Sequence, residues 1–246
     1  QTCALPIYGM AVNGQAVVVK NASISSASSK GITPIAVVFS TTTSSTDKNA
    51  GYKLGYALSL KFAAQDIQWA NSKTLTESFT ATLNSSGGYE IILNKDGRTE
   101  TLAMNNSDHP AAQTALTYSR TRPKAASVWF LPSCGQFYDV IITLCGMSAS
   151  DASSAGTHGY VWPSNAALDG LTAINVYLNA GGGDPYDLSR HTEHASYNQT
   201  WSSSYKSAAE AYNLTFETGG GKLWIESYGN DNYKTNKEDV RPAIAF

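Results

Sequence analysis

The hydrophobic period of the chain changes twice, and the order of these changes limits the folds open to it. Short runs rich in β-branched and aromatic residues come first, and apolar residues spaced at i, i+3, i+4 and i+7 occupy the middle. A period of two returns near the end. A βαβ protein would instead alternate strands and helices throughout. The order therefore predicts an α+β fold, with antiparallel sheets and two or three segregated helices.

The predicted strands are short and are bounded by turn residues. The early ones are QAVVVK (15–20), TPIAVVF (33–39), LGYALSL (54–60) and YEIIL (89–93). The late ones are EAYNLTFET (210–218), KLWIESY (222–228) and VRPAIAF (240–246), and the first two are joined by a GGGK turn. Pro242 cannot donate to a sheet ladder, so the last strand is predicted to be an edge strand or bulged. Together the late strands predict a closing antiparallel meander.

Three segments predict helices. The first has Asp108 as its N-cap and Pro110 in its first turn, and it stops before Pro123. The second runs from Ser133 to about Met147, because Ser133 and Gln136 have the spacing of a capping box. The apolar stripe of the second helix is Phe137, Val140, Ile141 and Leu144. The third spans 165–183 and is predicted to bury Leu168, Leu171, Ile174 and Leu178.

The second helix also carries the candidate nucleophile, Cys134. A thiol in the first turn of a helix can have a lowered pKa and react. No histidine lies nearby in sequence to act as a base, so a buried, packing cysteine is the favoured interpretation. Cys145 is separated from Cys134 by about 16 Å of helical rise, which excludes a disulfide between them.

Charge and hydropathy exclude several function classes. The net charge is −2 and charged residues make up only 15% of the chain, with no run of Lys or Arg, so no nucleic-acid partner is predicted. No apolar stretch is long enough to span a membrane. Residues 1–30 are interpreted as an N-terminal strand or linker segment that ends an upstream domain, and residues 31–246 as the main domain.

Aromatic residues between positions 150 and 200 are the candidate ligand-binding residues. They lie in a segment rich in Gly and Ser, where rings can stack on a sugar or anchor a protein partner. These residues are Tyr160, Trp162, Tyr186 and Tyr197. The alternative is that the rings cover the core beneath the loop.

Metal sites are weaker candidates, and no cofactor is predicted. Oxygen ligands for calcium are available from Asp184, Asp187, Asn230, Asp231, Asn232 and Asp239. Such Asn and Asp clusters are also typical of tight turns. His191 and His194, with Glu193 between them, could hold zinc, but the surrounding sequence reads as a loop, and solvated histidines are the default interpretation.

Four ordered motifs resemble a known family. They are DGRTET at 96–101, WFLPS at 129–133, TWSSS at 200–204 and VRPAIAF at 240–246. This pattern is similar to the C-terminal domains of collagen-like bacterial adhesins and their paralogous surface proteins. Similar domains stand at the ends of fimbrillin-type surface proteins. The resemblance covers roughly residues 31–246 and implies a C-type lectin-like fold.

The same resemblance implies a function in cell adhesion. It points to a non-catalytic ligand-binding module, secreted and displayed on the bacterial surface at the outer membrane or on a fimbria. A host glycan, a matrix protein or neighbouring fimbrial subunits would be its partners. The motif residues Trp129, Pro132, Ser133, Trp201 and Arg241 are expected to hold the fold together, and Arg241 to clamp a carboxylate or loop carbonyls.

Two alternatives stay open. The chain could be a purely structural fimbria-like subunit, with residues 1–30 supplying a strand to a neighbour. It could also be an enzyme, because WFLPS resembles a step in formylglycine-generating enzymes, which share the broad fold. That family needs a pair of reactive cysteines late in the domain, and residues 146–246 contain none.

Overall fold

A computed structural model describes residues 7–19, 27–82, 89–155, 158–188, 197–217, 221–227 and 232–246. In these ranges the helices are α1 Ser45–Asn49, α2 Tyr89–Leu93, α3 Gly97–Ala103, α4 Pro110–Leu116, α5 Cys134–Thr143 and α6 Ala166–Ala180. The strands are β1 Ile7–Ala11, β2 Ala16–Val19, β3 Ile32–Ser40, β4 Tyr56–Ser59, β5 Ala64–Gln68, β6 Ser153–Ser154, β7 Gly159–Trp162, β8 Tyr197–Tyr205, β9 Ala211–Glu217, β10 Leu223–Glu226, β11 Lys237–Val240 and β12 Ala243–Ala245. None of the described helices has both the length and the apolarity needed to cross a bilayer.

The strands form two sheets, and the α+β class is confirmed. One sheet has the order β12-β4-β3-β1-β2, and the other has the order β5-β11-β8-β9-β10-β7-β6. The recorded pairs are antiparallel except for β11 and β8, which run parallel where Asp239 meets Thr200. The predicted closing meander is therefore wrong. Of the three late strands predicted, only β9 and β10 pair with each other; the last one, β12, belongs to the other sheet, and β11 lies on the far side of β8 from β9.

Helix α5 confirms the start predicted at Ser133, but it ends at Thr143 rather than near Met147. Ser133 is its N-cap, and the Ser133 N–H donates to Gln136 Oε1 at 2.9 Å. Phe137, Val140 and Ile141 are fully buried. They share one core with side chains from both sheets, so α5 is the element on which the two sheets meet.

The segment 89–93 is a helix, α2, where the sequence predicted a strand. A short apolar run has no readable period, so its neighbours decide the outcome. The end of α2 lies against the start of α5, where the Gly135 N–H donates to the carbonyl of Asn94 at 2.9 Å. A Cβ at Gly135 would collide with the carbonyls of Ile92 and Asn94, so this contact requires glycine.

The other two predicted helices form, with corrected details. Helix α4 has His109 rather than Asp108 at its N-cap and ends at Leu116. In α6 the predicted Leu168 is 59% exposed. The buried stripe runs instead through Ala167, Gly170, Ile174 and Leu178, whose first two members are small enough to bring the helix close to Leu223 and Cys145.

The N-terminal strands belong to the five-stranded sheet. Strand β1 lies between β2 and β3, in antiparallel register with both. Tyr8 is fully buried there and stacks on Phe246, with ring centroids 4.4 Å apart. Residues 7–19 are therefore integrated with residue 32 onward, across the boundary expected at residue 30.

Two neighbouring segments pass from one sheet to the other at the same place, which we call the corner (residues 59–64 and 240–243). Strand β4 continues into β5 along one segment, and β11 continues into β12 along the other. The Ser59 N–H donates to Pro242 O and the Ala63 N–H to Val240 O, each at 2.8 Å. Pro242 thus occupies the change of sheet, and β12 is an edge strand, as predicted.

Candidate functional site

Arg241 occupies the corner with its side chain fully buried. Nη1 donates to the carbonyls of Ser59 and Leu60 at 3.1 and 3.0 Å, and Nη2 donates to the carbonyl of Asp184 at 2.6 Å. The guanidinium lies over Phe62, with Cζ 3.7 Å from the ring centroid. Of the two expected roles, carboxylate clamp or carbonyl clamp, the geometry shows the second.

Three of the predicted ligand-binding aromatics lie in the core. Tyr160 and Trp162 are on strand β7 rather than on a loop, and they are 5% and 0% exposed. Tyr186 is 2% exposed and packs on Phe216 and Phe62. A ring that stacks on a sugar must present a face to solvent, so these positions favour the core interpretation. Tyr197 begins β8, but its side chain lies outside the described residues.

The calcium candidates that lie within the described residues do not form a metal site. Asp184 pairs with Lys61 at 3.7 Å, Asp187 is exposed, and Asn232 and Asp239 are buried. Asn230, Asp231, His191, Glu193 and His194 lie outside the described residues. Across the ranges that are described, no three His, Cys, Asp or Glu side chains come close enough to hold a metal ion.

Cys134 is an enclosed core residue. It is fully buried in the main apolar cluster, and the nearest recorded polar atom to its Sγ is Ser202 Oγ at 3.9 Å. Burial raises the pKa of the thiol far above its usual value, and the nearby carboxyl of Glu100 raises it further. The thiolate needed for nucleophilic chemistry is therefore strongly disfavoured.

We expect native protein to resist alkylation at Cys134 and Cys145, because both thiols are buried and unpaired. Iodoacetamide labelling followed by peptide mapping should leave both peptides unmodified in buffer. Both should be fully modified in about 6 M guanidinium, which unfolds most domains. Rapid labelling of Cys134 in the native state would restore it as a candidate nucleophile.

A cleft of about 530 Å³ brings polar side chains together on the described surface. One side is formed by residues 79–82, at the end of an irregular segment after β5. The other side is formed by residues 94–100, which lead into and form α3. The lining residues are Phe79, Thr80, Ala81, Thr82, Asn94, Asp96, Thr99 and Glu100.

Glu100 forms the floor of the cleft and is held by three donors. Ser203 Oγ and Ser204 Oγ donate to Oε2 at 2.5 and 3.2 Å, and Asn94 Nδ2 donates to Oε1 at 2.7 Å. The two serines belong to the TWSSS motif on β8. Burial raises the pKa of the Glu100 carboxyl, and the hydrogen bonds from Ser203, Asn94 and Ser204 only partly offset this.

The raised pKa of Glu100 has a predictable effect on stability. A group with a raised folded-state pKa stabilises the protein fully below its unfolded pKa, and this contribution is lost as pH rises through the folded pKa. We therefore expect Glu100→Gln to be as stable as the parent at pH 7, or up to about 1 kcal/mol more stable. Urea unfolding of both proteins between pH 4 and 8 measures this difference.

Glu100→Ala is the comparison variant. It removes the acceptor for all three donors, so we expect a loss of about 2 kcal/mol at pH 4 that becomes smaller toward pH 8, as the parent loses the contribution of Glu100. A Glu100→Gln protein that is less stable at pH 7 than at pH 4, relative to the parent, would contradict the assigned direction.

A buried charged cluster fixes the segment that carries Phe79. Glu77 Oε1 lies 2.5 Å from Lys234 Nζ, and Glu77 Oε2 lies 2.6 Å from His109 Nε2. Lys234 is 0% exposed and sits 4.7 Å from the ring centroid of Trp69. Tyr205 Oη also donates to the carbonyl of Phe79 at 2.6 Å. These contacts position one side of the cleft.

The cleft could not be predicted from the sequence. Its two sides carry no catalytic or metal motif. The available signal was the DGRTET motif, since Asp96 and Glu100 both belong to it. The TWSSS motif supplies the floor donors, so two motifs of the resemblance meet at this site.

The fold is similar to that of a known bacterial protein. A crystal structure of a fimbrial protein from Bacteroides ovatus matches with a TM-score of 0.56 and 14% sequence identity. The match covers 98% of this chain and 48% of that protein, so the chain spans about half its length. At this identity the likeness shows the fold alone. No family model and no curated protein matches the sequence.

Proposed function

We propose that the chain is a non-catalytic module of a bacterial cell-surface protein, part of a fimbria-like assembly, and that it acts in adhesion by binding a ligand. The observation that carries the proposal is the likeness in fold to a fimbrial protein over 98% of this chain. The four adhesin-like sequence motifs support it independently. On those motifs we also propose the C-type lectin-like assignment.

The environment of Cys134 supports a non-catalytic role. The enzyme alternative needs a reactive thiol, and this thiol is enclosed with its pKa raised. The cleft offers instead a shaped surface with polar groups and a partly exposed ring, which is the composition of a binding site.

A binding screen tests adhesion directly. The chain is fused to a fluorescent reporter and applied to a glycan array and to immobilised fibronectin, laminin, collagen and fibrinogen. Saturable binding to one of these surfaces is the expected result. Absence of binding to every surface would contradict the adhesive role and leave the structural alternative.

The structural alternative is a subunit that polymerises through its sheet. It is favoured by β2, which is an edge strand among the described residues and whose Val18 is 44% exposed, because a sheet edge can accept a strand from a neighbour. Deleting residues 1–19 would test assembly poorly, since it also removes the buried Tyr8.

A charge on the edge is the cleaner test. If β2 joins subunits, Val18→Lys should abolish higher oligomers in multi-angle light scattering while the melting temperature changes little. Val12→Lys is the matched control, because Val12 is 93% exposed in the turn beside the strand. Equal assembly of both variants and the parent would exclude this edge as the joint.

A further inference from the structure

We infer that the cleft between residues 79–82 and 94–100 binds a neutral saccharide unit; this deepens the proposed adhesive function and rests on it. The volume of about 530 Å³ lies within the range of small-ligand sites. The lining combines apolar surface, hydroxyl groups and a carboxylate with spare acceptor capacity. A sugar ring presents the complementary set, an apolar C–H face with hydroxyls around its edge.

Asp96 is the polar centre of the site. Its side chain is half-buried, and its Oδ1 is enclosed without a hydrogen bond to any described residue. Oδ1 itself is closed to solvent, so a ligand hydroxyl must reach this carboxylate from the cleft side, where it gains a charge-assisted hydrogen bond. Glu100 and Asn94 cannot take this role, because their polar atoms are already committed to the floor.

Phe79, Thr80 and Thr99 supply the apolar surface and the hydroxyl groups of the site. Phe79 is half-buried: its ring meets Tyr205 edge-on with centroids 5.1 Å apart, and part of it lines the cleft. Thr80 and Thr99 are exposed and place hydroxyls on opposite sides. An aromatic surface that lines the same cleft as these hydroxyls suits a ring with an apolar face and polar edges.

The charge of the site selects the class of sugar. Asp96 and Glu100 contribute carboxyl groups, and the described lining residues include no lysine or arginine. A sialylated, sulfated or uronic-acid glycan would bring a like charge beside Asp96, which costs affinity. We therefore expect neutral glycans to bind at least about tenfold more tightly than their acidic counterparts.

The probes are arrayed oligosaccharides ending in mannose, galactose, fucose or N-acetylglucosamine, together with sialylated and sulfated forms. The best binder is then titrated calorimetrically against variants with confirmed parental melting temperatures. Asp96→Ala should weaken binding about tenfold or more. Phe79→Leu, which keeps apolar volume but removes the ring face, should weaken it severalfold. Asp169→Asn is the matched control, because Asp169 is an exposed residue of α6, and it should bind as the parent does.

The outcomes separate this inference from the broader proposal. Neutral binding that both cleft variants reduce supports it. Neutral binding unaffected by Asp96→Ala and Phe79→Leu overturns the site, and equal binding of acidic glycans overturns the ligand class; adhesion stands in both cases. Binding only to matrix proteins, or only to a cationic amine or Ca²⁺, also overturns the saccharide assignment. If no surface is bound, the adhesive function fails as well.

Discussion

Arg241→Ala is expected to lower the free energy of unfolding by about 4 kcal/mol, or to leave the protein insoluble. The side chain is fully buried and donates to three carbonyls at the corner. Its loss removes donors from enclosed backbone groups and opens a cavity beside Phe62 and Tyr186. Equilibrium urea unfolding, followed by tryptophan fluorescence, gives the change.

Two comparison variants make this result specific. Arg241→Lys keeps the charge but not the planar fork, so we expect it to recover less than half of the loss. Arg122→Ala removes a half-buried arginine that donates to one carbonyl, Ala126 O at 2.9 Å, and it should cost below about 1 kcal/mol. Equal losses for Arg241→Ala and Arg122→Ala would show that the corner does not depend on this side chain.

Lys234→Met should cost about 3 kcal/mol at pH 7, the second largest effect that we expect. It leaves the Glu77 carboxylate enclosed with His109 as its remaining side-chain partner. Burial acts to raise the pKa of Glu77, but the hydrogen bonds from His109 and Lys234, with the charge of Lys234, outweigh it and lower the pKa below its usual 4.5. Chemical unfolding measures the loss.

The pH dependence of this stability loss tests whether it arises from the interaction between Lys234 and Glu77. A lowered pKa gives stability that is present above the unfolded pKa and is lost as pH falls through the folded pKa. The deficit of Lys234→Met relative to the parent should therefore be largest near neutral pH and shrink below about pH 4.5. The double variant Glu77→Gln/Lys234→Met should recover part of the loss. A constant deficit from pH 3 to 7 would point to lost packing alone.

Local sequence signals were sufficient to predict an element where they include both a capping motif and a clear apolar period. Ser133 and Gln136 are three residues apart and fix the start of α5, while the stripe from Phe137 to Ile141 fixes its buried face. At 89–93 the local signal was ambiguous, and contact with Gly135 decided it. In α6 the periodicity was right, but the buried stripe was displaced, because small residues at Ala167 and Gly170 allow closer packing than leucine.

The remaining features depend on contacts that are distant along the chain. Arg241 reaches carbonyls that lie 182, 181 and 57 residues away. Asn94 and Ser204 meet at the cleft floor although 110 positions separate them. A motif in one segment of the sequence does not identify the distant residues that it contacts in the fold. The loop position expected for Tyr160 and Trp162 was wrong for the same reason, since β7 lies between β6 and β10, and β10 is distant along the chain.

The corner that the two sheets share also affects how the protein unfolds. The two sheets are joined by a pair of bonded segments rather than by a single linker, so neither sheet can open without breaking the bonds that close the other. We infer one all-or-none melting transition, with equal calorimetric and van't Hoff enthalpies. Under mechanical force, a domain of this kind would yield as one unit rather than lose its sheets one after the other.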